Sequence, residues 1–221
     1  MQTLLKLKPA RDLSYLRRSI PDMAQYRAAH VLIKAWAMSR GLYAAKFGFL
    51  GGIHLSVLLV PVCKSLARAG HGVSVADIVV TFFQHYSAVE WDKQLVFDPF
   101  FHNNTKYHRS FREPLCLLGW HAPALNTAAT ASVPTVRTLT AEFQRAAAQL
   151  RQESIGWDEF LGTSHGELDL LSRYSTYVKI DVQYWGPSPS KGNKLVGWIE
   201  SRCAMLLVGE YMPTHKSDGW S

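Results

Sequence analysis

Apolar residues recur at intervals of three and four through most of the chain, the period of a helix with one buried face. Near the C-terminus the period drops to two. The pattern predicts a helix over 23–40, opened by Ser19-Ile20-Pro21-Asp22 with its capping-type Ser-x-x-Asp and early proline, and stopped by Gly41. Residues 42–52 read as a glycine-punctuated turn, and 53–69 as a second, buried helix. A third helix starts at Ser74, three residues before Asp77, with Val75, Ile78, Val79, Phe82 and Phe83 on its apolar side. Residues 91–121 read as an aromatic-rich loop with short strands, and 122–134 as a small-residue connector. A fourth helix is predicted over 135–152, where Val136, Leu139, Phe143, Ala146 and Leu150 form one stripe. Val178, Ile180, Val182 and Tyr184 then alternate with polar residues, which predicts a half-buried strand. A loop over 186–192 leads to a last helix over 195–208, with Leu195, Trp198, Ile199 and Cys203 on one side. The chain is thus expected to be α+β, helical first and α/β last, without internal repeats.

Composition narrows the class. Of 221 residues, 48% are hydrophobic and 19% charged, so the chain can bury a core and general disorder is excluded. Cys63, Cys116 and Cys203 are odd in number, far apart and form no CxxC, which argues against a disulfide framework or zinc knuckle and for a reducing compartment. The most apolar stretch, 48–63, is shorter than the ~20 residues a bilayer requires and carries His54 and Pro61. With no apolar segment in the first thirteen residues to act as a signal peptide, a soluble protein is expected.

Charge adds a direction. Residues 1–76 hold eleven lysines and arginines against Asp12 and Asp22, net +9, and no carboxylate occurs from residue 23 to 76. The remainder holds thirteen basic against fifteen acidic groups, net −2. A one-sided block of this kind attracts polyanions, phosphate above all; it is equally the composition of a solvated basic face with no partner.

One segment inside that block combines three chemistries. Lys34 lies in Ile33-Lys34-Ala35-Trp36-Ala37, Tyr43 follows the helix stop, and Gly48-Phe49-Leu50-Gly51-Gly52-Ile53 opens the next helix. A helix N-terminus offers free N–H groups and a partial positive charge, and paired glycines let a ligand approach that backbone. A lysine adds a point charge and a tyrosine a hydroxyl on a flat ring. Each alone has a structural explanation: an exposed helix lysine, a rim aromatic, a tight turn.

Together these motifs resemble the central domain of eukaryotic poly(A) polymerases, with their I-K-x-W-A helix, a Y-A-N and a G-F-x-G-G-[VI] run. The resemblance continues in Phe82-Phe83 with Trp91, in Ala122-Pro123-Ala124-x-Asn126-Thr127, in the helix from Thr135, in Trp157-x-x-Phe160, in Tyr174-x-x-Tyr177-x-x-Ile180, and in Leu195-x-Gly197-Trp198-Ile199-Glu200-Ser201-Arg202. It spans about residues 15–208. It implies a helical central domain, a helix bundle over 1–165, followed over 166–221 by part of an RRM-like (ferredoxin-like) RNA-binding domain. It further implies ATP contacts, mostly to the phosphates, from Lys34, Tyr43, Gly51, Gly52 and Ile53. Arg40, Lys46 and Tyr177 are the candidate RNA contacts, with Tyr174, Tyr184 and Trp185 able to stack on bases. The activity implied is transfer of AMP from ATP to an RNA 3′ hydroxyl in the nucleus.

The departures are equally specific. The family's catalytic palm, whose carboxylates hold Mg²⁺ or Mn²⁺, precedes the central domain, and no acidic pair occurs in the first 76 residues here. The chain alone is therefore expected to be inactive, with a palm domain or 3′-end-processing proteins as partners. The alternative is a non-catalytic RNA-binding or scaffolding module. The family's asparagine after Tyr43 is Ala45, and the V-A-W-A after the double glycine is Ile53-His54-Leu55-Ser56. Gly162-Thr163-Ser164-His165-Gly166-Glu167-Leu168-Asp169 mimics a Gly-Ser with paired acids but is read as a loop. His102, His108 and His121 have no Cys or carboxylate partner at ligand spacing, so no metal site is expected.

Overall fold

The computed structural model describes residues 2–70, 73–103, 107–152, 155–161 and 176–206. The chain divides into two compact units, Met1–Tyr174 and Ser175–Ser221. Residues 162–169, which mimic the Gly-Ser motif, lie outside the described residues, as does Tyr174.

The first unit opens with a helix that the apolar pattern does not reveal, α1 (Gln2–Ser19). Its buried positions include Lys8 and Asp12, so its inward face carries charge rather than an apolar stripe. Lys64 on a later helix and Asp98 on a loop form a buried pair at 2.7 Å. Tyr15 of α1 and Trp120 each donate to the same Asp98 oxygen at 3.0 Å. A second cluster joins Asp12 to His121 at 2.7 Å and to Lys8 at 3.2 Å, while Lys8 donates to the His121 carbonyl at 2.7 Å.

Next comes α2 (Met23–Ser39), whose true N-cap is Asp22: its carboxylate accepts from the amides of Ala24 and Gln25 at 2.9 and 3.0 Å. Ser19, expected to begin this helix, instead ends α1. The buried helix α3 (Gly52–Arg68) follows, then α4 (Val75–Ser87), with the Ser74–Asp77 capping box, and α5 (Val133–Gln149), opened by Ser132 and Thr135. Helix α2 packs on α3 and α4, α4 packs on α3 and α5, and the short α6 (Trp157–Leu161) sits on α2. Their meeting point is aromatic. Trp36 is fully buried with its ring 4.6 Å from Phe83 and stacked on Phe143 at 5.7 Å, and Trp91 stacks on Phe143 from the other elements at 5.8 Å. Rings of this size supply most of the area removed from water, and their edge-to-face and stacked geometry adds to it.

Between α4 and α5 the chain is irregular, as its composition predicts. Among the described residues the expected short strands are reduced to two single bridges, Val96 with Leu117 and Leu118 with Asn126. Asn126 substitutes for a ladder: its side chain accepts from the amides of Leu117 and Ala128 and donates to the Leu115 carbonyl.

In the second unit the strand expected over 178–184 is corrected. No strand occurs among the described residues there, and Val178 and Trp185 are 85% and 87% exposed. A strand exists only with a neighbour to complete its hydrogen bonds, and alternation along one segment cannot provide one. Helix α7 (Pro189–Leu206) begins six residues before its predicted start, with proline in the first turn. Leu195, Ile199 and Cys203 are half-buried along it, while Trp198 is exposed. The α+β expectation therefore becomes a mainly helical fold across the described residues.

Candidate functional site

The site begins with how α2 stops. Arg40 caps the helix, and Gly41, at φ 69°, turns the chain left-handed. Leu42 donates to the Ala37 carbonyl at 2.7 Å and Gly41 to Met38 at 3.1 Å, the bond pair that closes a helix on a glycine. Leu42 is thereby buried and the next residue, Tyr43, faces outward, half-buried. A loop containing a single turn of 3-10 helix, Ala45–Phe47, follows. It closes where the Leu50 amide donates to the Leu42 carbonyl at 2.9 Å, which brings Gly51 back beside Tyr43.

Here the chain enters α3. Gly51 is the N-cap, and no side chain accepts from the first-turn amides, whereas α2, α4 and α5 are capped by Asp22, Ser74 and Ser132. The first turn of α3 carries no acidic residue. The positive end of the helix is left open for an outside acceptor. A Cβ on Gly52 would lie 3.4 Å from the Tyr43 hydroxyl, and one on Gly51 would lie 3.0 Å from the Ala45 Cβ. Lys34, in the C-terminal part of α2, holds its ammonium 5.1 Å from the centre of the Tyr43 ring. The lysine, the phenol and the double-glycine turn therefore meet at one place, with Ile53 40% exposed beside them.

Three neighbours extend the cluster. His30, one turn before Lys34, is held below its ordinary pKa by burial, by a margin that a hydrogen bond to the Gly52 backbone reduces and the Lys34 charge increases. Ser56 donates to the Gly52 carbonyl at 3.0 Å and receives from the Tyr26 hydroxyl at 3.1 Å. Residues 26, 30 and 34 share one face of α2, the i, i+4, i+8 signal by which the sequence places His30 beside Lys34. His54, in the family's alanine position, is buried with Nε2 2.7 Å from the Thr127 carbonyl oxygen. Its Nδ1 is buried without a partner and lies 3.8 Å from the Cβ position of Gly51.

Arg40 is buried: it pairs with Glu142 at 3.3 Å, donates to the Phe160 carbonyl at 3.1 Å and lies over Trp36. The basic block therefore includes a guanidinium that packs within the core. Lys46 is exposed over Phe47 in the loop, and Tyr177, 49% exposed, belongs to the second unit. A groove of about 200 Å³ lined by Asp22, Gln25, Cys63 and Ala67 lies near the start of α2. Its Asp22 carboxylate, which caps α2, offers acceptors rather than donors and suits no polyanion. Among the described residues no group of three or more His, Cys, Asp or Glu is placed to hold a metal ion, so they do not fit the divalent ions of nucleotidyl transfer. No helix among them is long and apolar enough to cross a membrane.

Residues 25–161 match the sequence model of the poly(A) polymerase central domain. The chain is 25% identical to the poly(A) polymerase of Dictyostelium discoideum over 217 residues, covering 93% of this chain and 25% of that protein. It is 24% identical to nuclear poly(A) polymerase 1 of Arabidopsis thaliana, covering 94% of this chain and 29% of that protein. Against poly(A) polymerase PAPa of Candida albicans the identity is 24%, with 92% and 37% covered. The chain belongs to the poly(A) polymerase family, and it spans between a quarter and two-fifths of the length of these relatives.

Proposed function

We propose that this chain supplies the ATP-triphosphate contacts and part of the RNA contacts of polyadenylation, the transfer of AMP from ATP to an RNA 3′ hydroxyl, with the metal-holding carboxylates supplied from outside the described residues. The observation that carries the reading is the convergence of the Lys34 ammonium, the Tyr43 hydroxyl and the uncapped N-terminus of α3. Each suits a row of phosphate oxygens: the ammonium as a point charge, the phenol as a donor, and the Gly52 and Ile53 amides as backbone donors in the field of the helix.

In this reading the chain binds and orients. Lys34 and the turn hold the β- and γ-phosphates, so that the leaving pyrophosphate is stabilised as charge accumulates on it. Lys46 is offered to the RNA backbone, and Tyr177, with the motif from Leu195 to Arg202, to RNA in the second unit. The RRM-like reading of 166–221 rests on that sequence motif. Action in the nucleus rests on relatives that carry "nuclear" in their names.

Titrating the chain with ATP tests the proposal. Saturable binding that weakens in Lys34→Ala supports it, and its absence overturns it. Incubation with ATP, Mg²⁺ or Mn²⁺ and an oligo(A) primer is expected to give no extension.

A further inference from the structure

We propose that the segment from Thr127 to Thr130 is the template that shapes the phosphate turn, and that Thr130 is a positioning residue for ATP, acting through the Ala45 carbonyl. This rests on the triphosphate reading above and adds to it the element that holds the seat in shape.

The seat has two walls, the loop from Tyr43 to Leu50 and the first turn of α3. One short segment, 73 to 85 residues further along the chain, bonds to both. The Thr130 hydroxyl donates to the Ala45 carbonyl at 2.7 Å. His54, in the first turn of α3, places Nε2 2.7 Å from the Thr127 carbonyl oxygen, which can only accept, so that nitrogen donates. Between these bonds the segment presses on the loop at Gly48. That glycine has φ 83°, and a Cβ on it would lie 2.7 Å from the Thr130 carbonyl oxygen and 3.1 Å from the Ala131 Cα. A side chain there would collide with the backbone of the segment, and the left-handed φ disfavours one as well. Ala45 is the junction of the two walls. Its methyl lies 3.0 Å from the Cβ position of Gly51, while its carbonyl is held by Thr130.

The segment is itself fixed at both ends. The Thr127 amide and hydroxyl both donate to the Leu117 carbonyl at 2.8 Å. Ser132, two residues after Thr130, forms the capping box of α5 with Thr135. The two bonds to the seat differ in exposure. His54 is 3% exposed, whereas Thr130 and Ala45 both face solvent. Breaking the Thr130 bond therefore hands the Ala45 carbonyl to water instead of stranding it, and the fold loses little. The loss falls on preorganisation. Without its tether the loop behind Tyr43 samples other arrangements, and ATP binds only the fraction with the phenol beside Gly52. Apparent affinity falls by the inverse of that fraction.

The test compares wild type, Thr130→Val and Thr130→Ser by ATP titration, thermal melting and the amide resonances of Gly51 and Gly52. Thr130→Val, of similar shape without the donor, is expected to bind ATP about three- to tenfold more weakly, the range of one hydrogen bond. Its melting temperature is expected to stay within about 2 °C of wild type. Thr130→Ser restores the donor and should restore the affinity. The two glycine amides should differ between wild type and Thr130→Val in the free protein and coincide at ATP saturation. Wild-type affinity in Thr130→Val overturns the proposal and leaves the triphosphate reading standing. So does a loss that Thr130→Ser does not restore, or a collapse of folding in Thr130→Val, which would assign the bond to stability. Absence of saturable ATP binding in the wild-type chain overturns the triphosphate reading, and this proposal with it.

Discussion

The Tyr43 hydroxyl stands 3.4 Å from the point a Cβ on Gly52 would occupy, which is ordinary contact rather than a clash. Gly52 has helical geometry and no positive φ. The fold therefore does not require glycine there; the open space beside the phenol does. Gly52→Ala is expected to leave stability unchanged or to raise it by about 0.4–1 kcal/mol, because alanine loses less chain entropy. The added methyl nevertheless covers the first amides of α3. A thermal melt paired with ATP titration separates the two effects: preserved melting with weakened binding is the expected result, and undiminished binding contradicts it.

The Lys34–Tyr43 pair predicts an order among variants. Lys34 is half-buried and its described contact is the Tyr43 ring, so removing it strands no carboxylate. Lys34→Ala is expected to weaken ATP binding by about 1.5–3 kcal/mol, the range of a hydrogen bond to a charged group, with little change in melting. Tyr43→Phe keeps the ring under the ammonium and loses only the hydroxyl, about 0.5–1.5 kcal/mol. Calorimetric titration at two salt concentrations checks the order, and the salt slope should flatten in Lys34→Ala.

Lys64 predicts the opposite behaviour from another lysine of the same basic block. It is 7% exposed, 2.7 Å from Asp98 and 2.6 Å from the Tyr15 hydroxyl. Lys64→Met leaves Asp98 buried with only neutral donors, which costs about 3–5 kcal/mol. Urea denaturation measures that loss. A double variant, Lys64→Met with Asp98→Asn, should recover part of it, because the uncompensated charge is gone.

These lysines show what was legible in the sequence. Lys34, Tyr43, Gly51 and Gly52 are readable because the i+4 period, a glycine stop and a double glycine each constrain the backbone locally. The caps at Ser74 and the stripe from Val136 to Ala146 are local in the same sense, and they hold. Arg40 and Lys64 are not readable: a lysine or arginine buried against a carboxylate 102 or 34 residues away looks like any surface cation. Helix α1 escaped for the same reason, since its inward face holds Lys8 and Asp12. The strand over 178–184 failed in the other direction, because alternation describes one chain and a sheet needs two.

The cysteines carry a prediction about pH. Burial pushes the Cys63 thiol up to about 12 and, with help from the Glu113 charge, the Cys116 thiol up to about 11. Cys203 is half-buried on α7. The thiolate is the nucleophile, so iodoacetamide at pH 8 should label Cys203 first and reach Cys63 and Cys116 only after unfolding. Because both folded values are raised, the neutral thiols contribute stability that is complete below the unfolded thiol range near pH 8.5–9. That contribution is lost as pH rises through about 11 and 12. The fall in denaturation midpoint between pH 8 and pH 10.5 should accordingly shrink in Cys63→Ala. An unchanged fall would mean that the Cys63 thiol ionises as readily in the folded chain as in the unfolded one.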